Sequence, residues 1–355
     1  MRKAVVTGAT GYIGSVLCKM LKEQGYYVLG IDYNQQSPNI NKVKKYCDKL
    51  IINDFSKDEV LAEIPKYATI FHLAASSLLG PSAERPIDYY FNNTVKSLRL
   101  IEHAVDHGHV FIFASTAAVY SEKQKKTAAW KNLYGTDDLE QMRSPVREDG
   151  IIAPPNNYGM SKLMTENMLD SITEAQNNGK RKWPLIAMSF RFFNVIGAYG
   201  DVGPNMYTPH IISSLIRAKK NPLTYEFKLN GNDFKTPDGT CIRDYVDVKD
   251  VCRALIHADM SYGKWPSRMH KDCKFNLGTG KGYSNKQILD TFKKVTSPHF
   301  EGESFYYSIG ERRVGDPPYL VADPSKFIEV SNFYYKYSHD LETMISDAWS
   351  YHNGV

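Results

Sequence analysis

The chain has 355 residues, of which 42% are hydrophobic and 23% are charged, and its formal net charge is +5. This length exceeds what one hydrophobic core usually serves, so we expect two lobes with a cleft between them. The positive charges are spread along the chain instead of clustering in one motif, which argues against a nucleic-acid site. No segment approaches the roughly 20 consecutive apolar residues that a membrane span needs.

Five cysteines lie far apart in the sequence, with no CxxC pair and no secretory leader before them: Cys18, Cys47, Cys241, Cys252 and Cys273. This pattern is typical of reduced thiols. We therefore expect a cytoplasmic protein that is neither exported nor inserted into a membrane.

A glycine-rich turn joins the first predicted strand to the first predicted helix. The strand is the β-branched run from Lys3 to Thr7, and helical apolar spacing follows from Ser15 to Glu23. Glycines in such a turn let the backbone bend sharply and approach a pyrophosphate at the helix N-terminus. The sequence therefore predicts a dinucleotide site. The residues of the turn predicted to contact the cofactor are Gly8, Gly11, Tyr12, Ile13 and Gly14.

An aspartate ends the second predicted strand, which runs from Tyr26 to Ile31. Asp32 lies about 20 residues beyond the glycine turn, where a carboxylate can accept hydrogen bonds from both ribose hydroxyls. The same carboxylate would repel a 2′-phosphate, so NAD is favoured over NADP. The alternative is that Asp32 is only a turn residue at the strand's end.

Further strands alternate with helices. They are predicted at Leu50 to Ile52, Ile70 to Ala75 and Val110 to Thr116. The alternation predicts an α/β fold with a Rossmann-type, doubly wound parallel sheet. Because ligands bind at the carboxyl ends of such strands, Thr116 should face the ligand.

Tyr158 and Lys162 are spaced i, i+4 in the segment YGMSK, which opens a predicted helix and places both side chains on one face. A phenol has a pKa of about 10, and bringing that pKa near 7 costs about 4 kcal/mol of interaction with positive charge. Lys162 and an oxidised nicotinamide can supply that charge. Tyr158 would then accept the proton of a sugar hydroxyl while Thr116 hydrogen-bonds the same oxygen. The plainer alternative is a surface tyrosine and lysine on an amphipathic helix.

Taken together, the motifs resemble a known family. The chain carries, in order, the blocks GATGYIG, HLAA, FNN, STAAVY, YGMSK, RFFNVIGA, GNDFKTPDGTCIRDYVDV, FNLGTG and RRVGDPP. This order is similar to the UDP-glucose 4-epimerase (UDP-galactose 4-epimerase) family of the extended short-chain dehydrogenases and covers nearly the whole chain. The resemblance implies an NAD-dependent isomerase. It would epimerise UDP-glucose and UDP-galactose, or their N-acetyl forms, through a transient 4-keto intermediate, as a homodimer.

The resemblance also assigns roles to individual residues. Thr116 takes the place of the catalytic Ser or Thr, Tyr158 that of the base and Lys162 that of its partner. Besides the glycine turn, Tyr158 and Lys162, the cofactor contacts are predicted to be Asp32, Asn34, Asp54, Phe55, Leu73, Ala74, Ala75, Asn92 and Ser115. Besides Thr116 and Tyr158, the substrate contacts are predicted to be Ser77, Phe193, Asn194, Asn205, Arg243, Tyr245, Arg313, Asp316 and Leu320.

The predicted roles divide the chain into two domains. We place the NAD-binding domain at residues 1–195, with 241–258 crossing back to it, and the nucleotide-sugar-binding lobe mainly at 196–355. Arg243 and Arg313 match the family's diphosphate contacts, since two arginines can clamp a pyrophosphate. Surface salt bridging is the alternative role for both arginines.

One feature favours epimerisation over related chemistries. Family members that dehydrate or decarboxylate the same intermediate carry an acidic residue just after the catalytic threonine. Here Ala117 and Ala118 follow Thr116. Elimination therefore lacks a proton carrier, and the keto intermediate should only be reduced again.

The chain departs from the family pattern in several places. Ser77 stands where many of these enzymes have a lysine, and Asn230 where an aromatic often lies under the uracil. The segment Ser121 to Asp149 is longer than usual and is a candidate lid. Leu320 stands where a tyrosine restricts the enzyme to plain hexoses, so it indicates either room for an N-acetyl group or ordinary core packing.

A histidine group and two apolar stripes have other interpretations. His103 and His107 are spaced i, i+4, as zinc ligands can be, but no acidic residue or cysteine completes a set with them and His109. We therefore predict helix-end histidines and no metal. The apolar stripes on two helices, Val95, Leu98, Ile101 and Val105 and then Leu163, Met164 and Met168, fit either a dimer interface or packing against the sheet.

Two other functions remain open. A nucleotide-sugar reductase or dehydrogenase of the same fold would usually prefer NADPH, against which Asp32 argues. A catalytically silent NAD(H)-sensing regulator would have no need of an intact Thr116, Tyr158 and Lys162.

Overall fold

The computed structural model describes residues 1–121, 145–177, 185–265, 272–297, 305–313 and 316–354. The candidate lid at Ser121 to Asp149 therefore lies largely outside the described residues. Among the helices of the described ranges, none combines the length and apolar character needed to cross a bilayer.

A seven-stranded, fully parallel sheet forms the larger lobe. In chain order its strands are β1 (Lys3–Thr7), β2 (Tyr27–Asp32), β3 (Lys49–Ile52), β4 (Thr69–His72), β5 (Val110–Thr116), β6 (Ile186–Phe192) and β10 (Lys274–Leu277). Their order across the sheet is β10-β6-β5-β4-β1-β2-β3. The predicted Rossmann-type fold is confirmed.

Helices cover both faces of this sheet, which explains why its strands are continuous apolar runs instead of alternating ones. The helices of this lobe are α1 (Tyr12–Glu23), α2 (Ile40–Val43), α3 (Asp58–Leu61), α4 (Leu79–Glu84), α5 (Pro86–Tyr90), α6 (Lys96–His107), α7 (Asn157–Asn177), α9 (Val248–Ser261) and α11 (Ser325–Ser331). On one face Leu17 of α1 packs in the same core as Leu255 of α9. On the other face Leu100 of α6 packs in the same core as Leu169 of α7.

The smaller lobe is built from short strands and three helices around a separate core. Its strands are β7 (Asn194–Ile196), β8 (Phe227–Asn230), β9 (Ile242–Asp247), β11 (Gly282–Ser284), β12 (Tyr307–Gly310) and β13 (Tyr319–Leu320). β9 pairs with β7, β11 and β13, while β8 pairs with β12. The helices are α8 (Ile211–Lys220), α10 (Asn285–Thr296) and α12 (Leu341–Asn353).

The chain returns to the larger lobe further along than the sequence indicates. The predicted return covers 241–258, but β10 at Lys274–Leu277 also joins the large sheet, as its edge strand beside β6. The strand predicted at Ile70 to Ala75 ends at His72, so Leu73, Ala74 and Ala75 belong to the loop that follows β4. Because all seven strands are parallel, the residues at their carboxyl ends share one edge of the sheet.

Candidate active site

The glycine turn between β1 and α1 is packed so tightly against neighbouring backbone that it has no room for side chains at Gly8 and Gly14. A Cβ on Gly14 would lie 2.0 Å from the carbonyl oxygen of Gly8, and one on Gly8 would lie 2.9 Å from the amide nitrogen of Ala74. Gly8 also has φ +73, a conformation that favours glycine. Tyr12 and Ile13 form the first turn of α1, directly after Gly11. The strand, turn and helix therefore pack as they do in dinucleotide-binding turns, in which an anionic group lies at the helix N-terminus.

Asp32, the last residue of β2, lies against this turn. Its Oδ2 accepts hydrogen bonds from the Thr10 amide at 2.9 Å and from Thr10 Oγ1 at 2.8 Å. Its Oδ1 accepts from the amide of Asn34 at 3.0 Å. A carboxylate has room for about four such bonds, so Asp32 keeps acceptor capacity for a ligand.

Asp54 follows β3 and is held as a carboxylate. It forms an ion pair with Lys96 at 2.6 Å, and its Oδ1 accepts from both the amide and the hydroxyl of Ser56. Burial would raise the pKa of Asp54, but these contacts outweigh burial and hold the pKa below its usual range. The neighbouring Phe55 is buried and packs edge-on against His72, with ring centroids 5.0 Å apart.

A π-helical turn, Phe91–Val95, fixes the loop after β4. Asn93 accepts from the amide of Ser76 at 2.8 Å and donates to its carbonyl oxygen at 2.9 Å and to Ser161 Oγ at 3.0 Å. Asn92, the residue predicted from the sequence, makes a longer bond to Ser76 Oγ at 3.4 Å. The FNN block indicated that an asparagine acts here, but the sequence did not show which of Asn92 and Asn93 ties the loop to α7. Such turns are frequent at functional sites.

Thr116 and Tyr158 meet where β5 ends and α7 begins. Asn156 Oδ1 accepts from the amide of Gly159 at 2.8 Å and so caps α7. Thr116 Oγ1 accepts from the amide of Ala118 at 3.1 Å. The Thr116 side chain lies close enough to Tyr158 to lower the pKa of its phenol, against the effect of burial. Both residues were predicted for one site, and the structure brings them together.

Lys162 lies one turn further along α7, buried, with its Nζ donating to the carbonyl oxygen of Ala114 at 2.8 Å. Burial lowers the pKa of Lys162 to about 7, against an opposing attraction from Glu166. Burial raises the pKa of Tyr158 to about 12, although the nearby Thr116 side chain opposes the rise. The side chains alone therefore do not produce the low pKa predicted for Tyr158, and a further positive charge in the cleft is needed.

A buried ion pair beneath these residues was not predicted from the sequence. Glu166 accepts from Arg191 through two bonds, Nε at 3.0 Å and Nη2 at 2.7 Å, and both side chains are buried. Ser115, predicted to contact the cofactor, instead donates to Glu166 at 2.5 Å. Arg191 also donates to the hydroxyl of Tyr120 at 2.9 Å. The pair joins α7 to β6 directly under Thr116 and Lys162.

Three residues predicted to contact the substrate lie on the smaller lobe: Arg243, Tyr245 and Asp316. Arg243 forms an ion pair with Asp316 at 2.5 Å. Tyr245 is almost fully buried, and its hydroxyl lies 3.2 Å from Asn285 Oδ1. The structure thus pairs Arg243 with Asp316 and places Tyr245 in the core of the smaller lobe.

Arg313 is exposed and lies beside Asn230, which stands at the family's aromatic position. In the amide orientation that satisfies both groups, the Asn230 oxygen accepts from Arg313 Nε at 3.1 Å and Nη2 at 3.2 Å. Phe193 is buried, and the half-buried Leu320 packs in the same cluster beside the turn that follows Thr116. The remaining predicted contacts are Asn194, exposed at the start of β7, Asn205, which caps a turn through Tyr207, and Ser77, exposed after β4.

Comparisons with known proteins identify a family, sequences and solved structures to which this chain is similar. A family model described as the NAD dependent epimerase/dehydratase family matches residues 4–264. The chain is 33% identical over 353 residues to a UDP-glucose 4-epimerase of Corynebacterium glutamicum, covering 98% of this chain and 95% of that relative.

Two solved structures are similar over nearly their whole length. The crystal structure of UDP-glucose 4-epimerase from Brucella ovis in complex with NAD shows 30% identity and a TM-score of 0.81, covering 100% of this chain and 99% of that one. The Stenotrophomonas maltophila UDP-glucose-4-epimerase with bound NAD and formylated UDP-arabinopyranose shows 25% identity and a TM-score of 0.82, covering 99% and 98%. These similarities confirm the resemblance carried by the sequence motifs.

Proposed function

The chain belongs to the NAD-dependent epimerase/dehydratase family, and on that premise we propose that it interconverts the 4-epimers of a UDP-hexose. The observation that carries the proposal is the placement of Thr116 beside Tyr158, with Lys162 one turn behind, at the sheet edge that also carries the glycine turn. This arrangement provides a proton acceptor and an oxygen-holding hydroxyl beside a dinucleotide site.

The glycine turn and Asp32 fit NAD. Glycine at Gly8 and Gly14 lets the turn pack directly against the loop after β4 and against the start of α1, the tight strand–turn–helix geometry that binds a pyrophosphate at a helix N-terminus. Asp32 lies at the strand end where the adenosine ribose would sit, and its charge disfavours a 2′-phosphate. When bound, NAD supplies the hydride acceptor and, in its oxidised form, a positively charged ring. We assign the cofactor to the larger lobe and the sugar nucleotide to the smaller one.

The chain's own residues handle the proton and the oxygen. Tyr158, as phenolate, accepts the proton of the sugar 4-hydroxyl while the hydrogen on C4 leaves as hydride, so a 4-keto sugar forms. Thr116 hydrogen-bonds that oxygen as it becomes a carbonyl, and the charge of Lys162 stabilises the phenolate. The 4-keto sugar then turns in the site, hydride returns to the other face of C4, and Tyr158 gives the proton back to the oxygen, so the configuration at C4 is inverted. The net reaction involves no oxidation.

The residues of the site favour reduction of the keto sugar over elimination. The turn after Thr116 is formed by Ala117 and Ala118, which carry no acid or base. Glu166, the carboxylate just beneath this site, is engaged by Arg191 through two hydrogen bonds. Within the described residues, then, neither the turn nor this carboxylate offers the proton carrier that dehydration needs.

The substrate's diphosphate is assigned to Arg243 and Arg313. Asp316 already neutralises Arg243 in part, and Asn230 orients the exposed Arg313. Two guanidinium groups of fixed orientation suit a pyrophosphate, which accepts paired hydrogen bonds. We assign uridine as the nucleoside. Asn230 stands where the family often has an aromatic residue under the uracil, and it makes a polar contact with Arg313 instead of stacking on the base.

We further propose a homodimer in the cytoplasm. Four apolar side chains on and beside α6 and α7 are 41–53% exposed: Phe91, Val95, Leu98 and Met164. Ile101, from the same stripe, is buried against the sheet, so packing inside the chain accounts for only part of the stripe. The five free cysteines support a reducing compartment. Light scattering should show a dimer that Leu98→Glu dissociates, and a monomeric wild type would refute this assembly.

The experiment is to incubate the purified protein separately with UDP-glucose, UDP-N-acetylglucosamine and UDP-xylose and to separate the 4-epimers by chromatography. The runs are made without and with added NAD. Tyr158→Phe should abolish conversion, whereas Tyr67→Phe, at an exposed position, should not change it. Absence of any 4-epimer, even with NAD, would overturn the proposed function in favour of reduction or NAD(H) sensing.

A further inference from the structure

Three histidines converge at the C-terminal end of α6. His103 and His107 lie one turn apart on the helix, and His109 follows Gly108, whose φ of 64 reverses the chain. One ring nitrogen from each histidine lies within 4.8 Å of the others. The His103 and His107 rings are stacked, with centroids 4.1 Å apart. For all three histidines the sequence predicts helix-end positions without a metal, because the i, i+4 spacing covers only His103 and His107 and does not show that the turn brings His109 to them.

The hydrogen bonding of these rings leaves nitrogen lone pairs free. Among the described residues, the buried Nε2 atoms of His103 and His109 have no hydrogen-bond partner, and His109 is only 1% exposed. Nδ1 of His109 lies 3.2 Å from both the amide nitrogen and the carbonyl oxygen of Ala68. The tautomer that donates to the carbonyl frees Nε2. Nδ1 of His107 lies 2.9 Å from the carbonyl oxygen of His103.

His107 and His109 each show the pattern of metal-ligating histidines, in which one ring nitrogen contacts a backbone carbonyl and leaves the other for the metal, and His103 adds an unpartnered buried Nε2. A buried ring nitrogen without a partner is destabilising, and a bound ion would satisfy it. We propose that His103, His107 and His109 form a binding site for a divalent transition metal, with Zn²⁺ as the reference ion. Three imidazoles and one open position form a common zinc ligand set.

The surroundings suit such an ion. A surface cavity lined by Asp58, Glu102 and Asp106 opens beside His103 and His107. Arg99, on the same cavity wall, pairs with Asp58 and Glu102 and offsets part of their negative charge. The cavity gives the ion an entry path.

The position of the site indicates a structural role. His109 directly precedes β5, and Thr116 lies at the other end of that strand, about 20 Å away at the usual rise per residue. Ala68 directly precedes β4. A metal here would tie the end of α6 to the amino ends of two central strands. It should therefore stabilise the fold and leave turnover unchanged.

The test uses the full-length protein without an affinity tag, freed of metal by a chelator and titrated with Zn²⁺ and Co²⁺ by calorimetry and absorption. We expect one ion per chain, a Co²⁺ spectrum typical of nitrogen ligands, and a higher melting temperature with Zn²⁺. His107→Ala removes an exposed ligand, so it should fold and should weaken binding by more than about tenfold. His339→Ala, at an exposed histidine outside the group, is the matched control.

Two results would overturn the site. One is wild-type protein that binds no more Zn²⁺ than His107→Ala does. The other is equal weakening by His107→Ala and His339→Ala, which would indicate scattered surface binding. UDP-sugar epimerisation is measured on the same samples with and without Zn²⁺, so failure of the metal site is distinguishable from failure of the proposed function. His109→Gln replaces a second ligand by a side chain of similar size and should also weaken Zn²⁺ binding.

Discussion

Gly159 lies in contact with the carbonyl group of Ala118. A Cβ on Gly159 would lie 2.2 Å from the Ala118 oxygen, closer than atoms can approach. The glycine that follows Tyr158 thus lets the first turn of α7 touch the turn that follows Thr116. Local packing of the backbone, and not side-chain reach alone, brings the phenol to the threonine hydroxyl.

Gly159→Ala should therefore reduce turnover with little loss of folding. The added methyl group must push α7 away from the Ala118 carbonyl, and a displacement of about 1 Å at reacting groups costs about a hundredfold in rate. We expect kcat to fall by at least about tenfold with a smaller change in KM. Steady-state epimerase kinetics measure both constants.

Gly263→Ala is the matched control, because nothing lies within 4 Å of a Cβ built there. It should leave kcat unchanged. Wild-type kcat in Gly159→Ala would show that the close approach does not set the Thr116–Tyr158 geometry.

The buried pair of Glu166 and Arg191 should contribute to stability far more than an exposed pair does. Glu166→Gln leaves the buried arginine without its counter-charge, and breaking such a pair costs about 3–5 kcal/mol. Glu342→Gln removes the exposed partner of Lys294 and should cost about 1 kcal/mol or less. Urea unfolding of both variants measures the free energies. Equal losses would mean that Arg191 is solvated or finds another partner when Glu166 is neutral.

Much of the larger lobe could be predicted because its signals are local. The bounds predicted for β1 and β5 agree with those observed, Lys3–Thr7 and Val110–Thr116, since both are apolar runs ended by small polar residues. The glycine turn likewise depends on neighbouring residues. The strand predicted to end at Ala75 ends at His72, because small apolar residues continue into the loop.

Features that depend on the folded chain could not be predicted. Glu166 and Arg191 are 25 positions apart and meet only because α7 packs on β6. β10 joins the sheet after a long excursion through the smaller lobe, and its four residues give a weak pattern. The sequence shows Asn230 only as a departure from the family pattern. Its contact with Arg313 is visible only in the folded chain. Each case rests on a partner distant in sequence.

Lys162 should destabilise the cofactor-free protein at neutral pH. Its folded pKa of about 7 lies below the unfolded value of 10.5, so between these pH values the unfolded chain holds the extra proton. The free energy of unfolding therefore rises with pH over this window, and the lysine's penalty is fully present below pH 7.

Lys162→Met removes this titration and should show a higher melting temperature than wild type at pH 6, with a flatter dependence on pH between 7 and 10. The same variant should lose epimerase activity. Calorimetry between pH 6 and 10 measures the melting temperatures. Lys66→Met, at an exposed lysine, is the control for the loss of a lysine charge. A lower melting temperature for Lys162→Met at pH 6 would show that its bond to Ala114 outweighs the cost of burial.

Leu320 is the position at which the choice of sugar can be tested by one substitution. Its half-buried side chain packs with Phe193 and Val119, beside the turn that follows Thr116, so its size affects the space next to the reacting hydroxyl. Leu320→Tyr adds a ring there and should exclude an N-acetyl group while a plain hexose still fits. We expect the ratio of kcat/KM for UDP-N-acetylglucosamine to that for UDP-glucose to fall by at least about tenfold. Leu320→Met keeps the volume and should preserve the ratio, whereas an equal fall for both sugars in Leu320→Tyr would assign Leu320 to core packing alone.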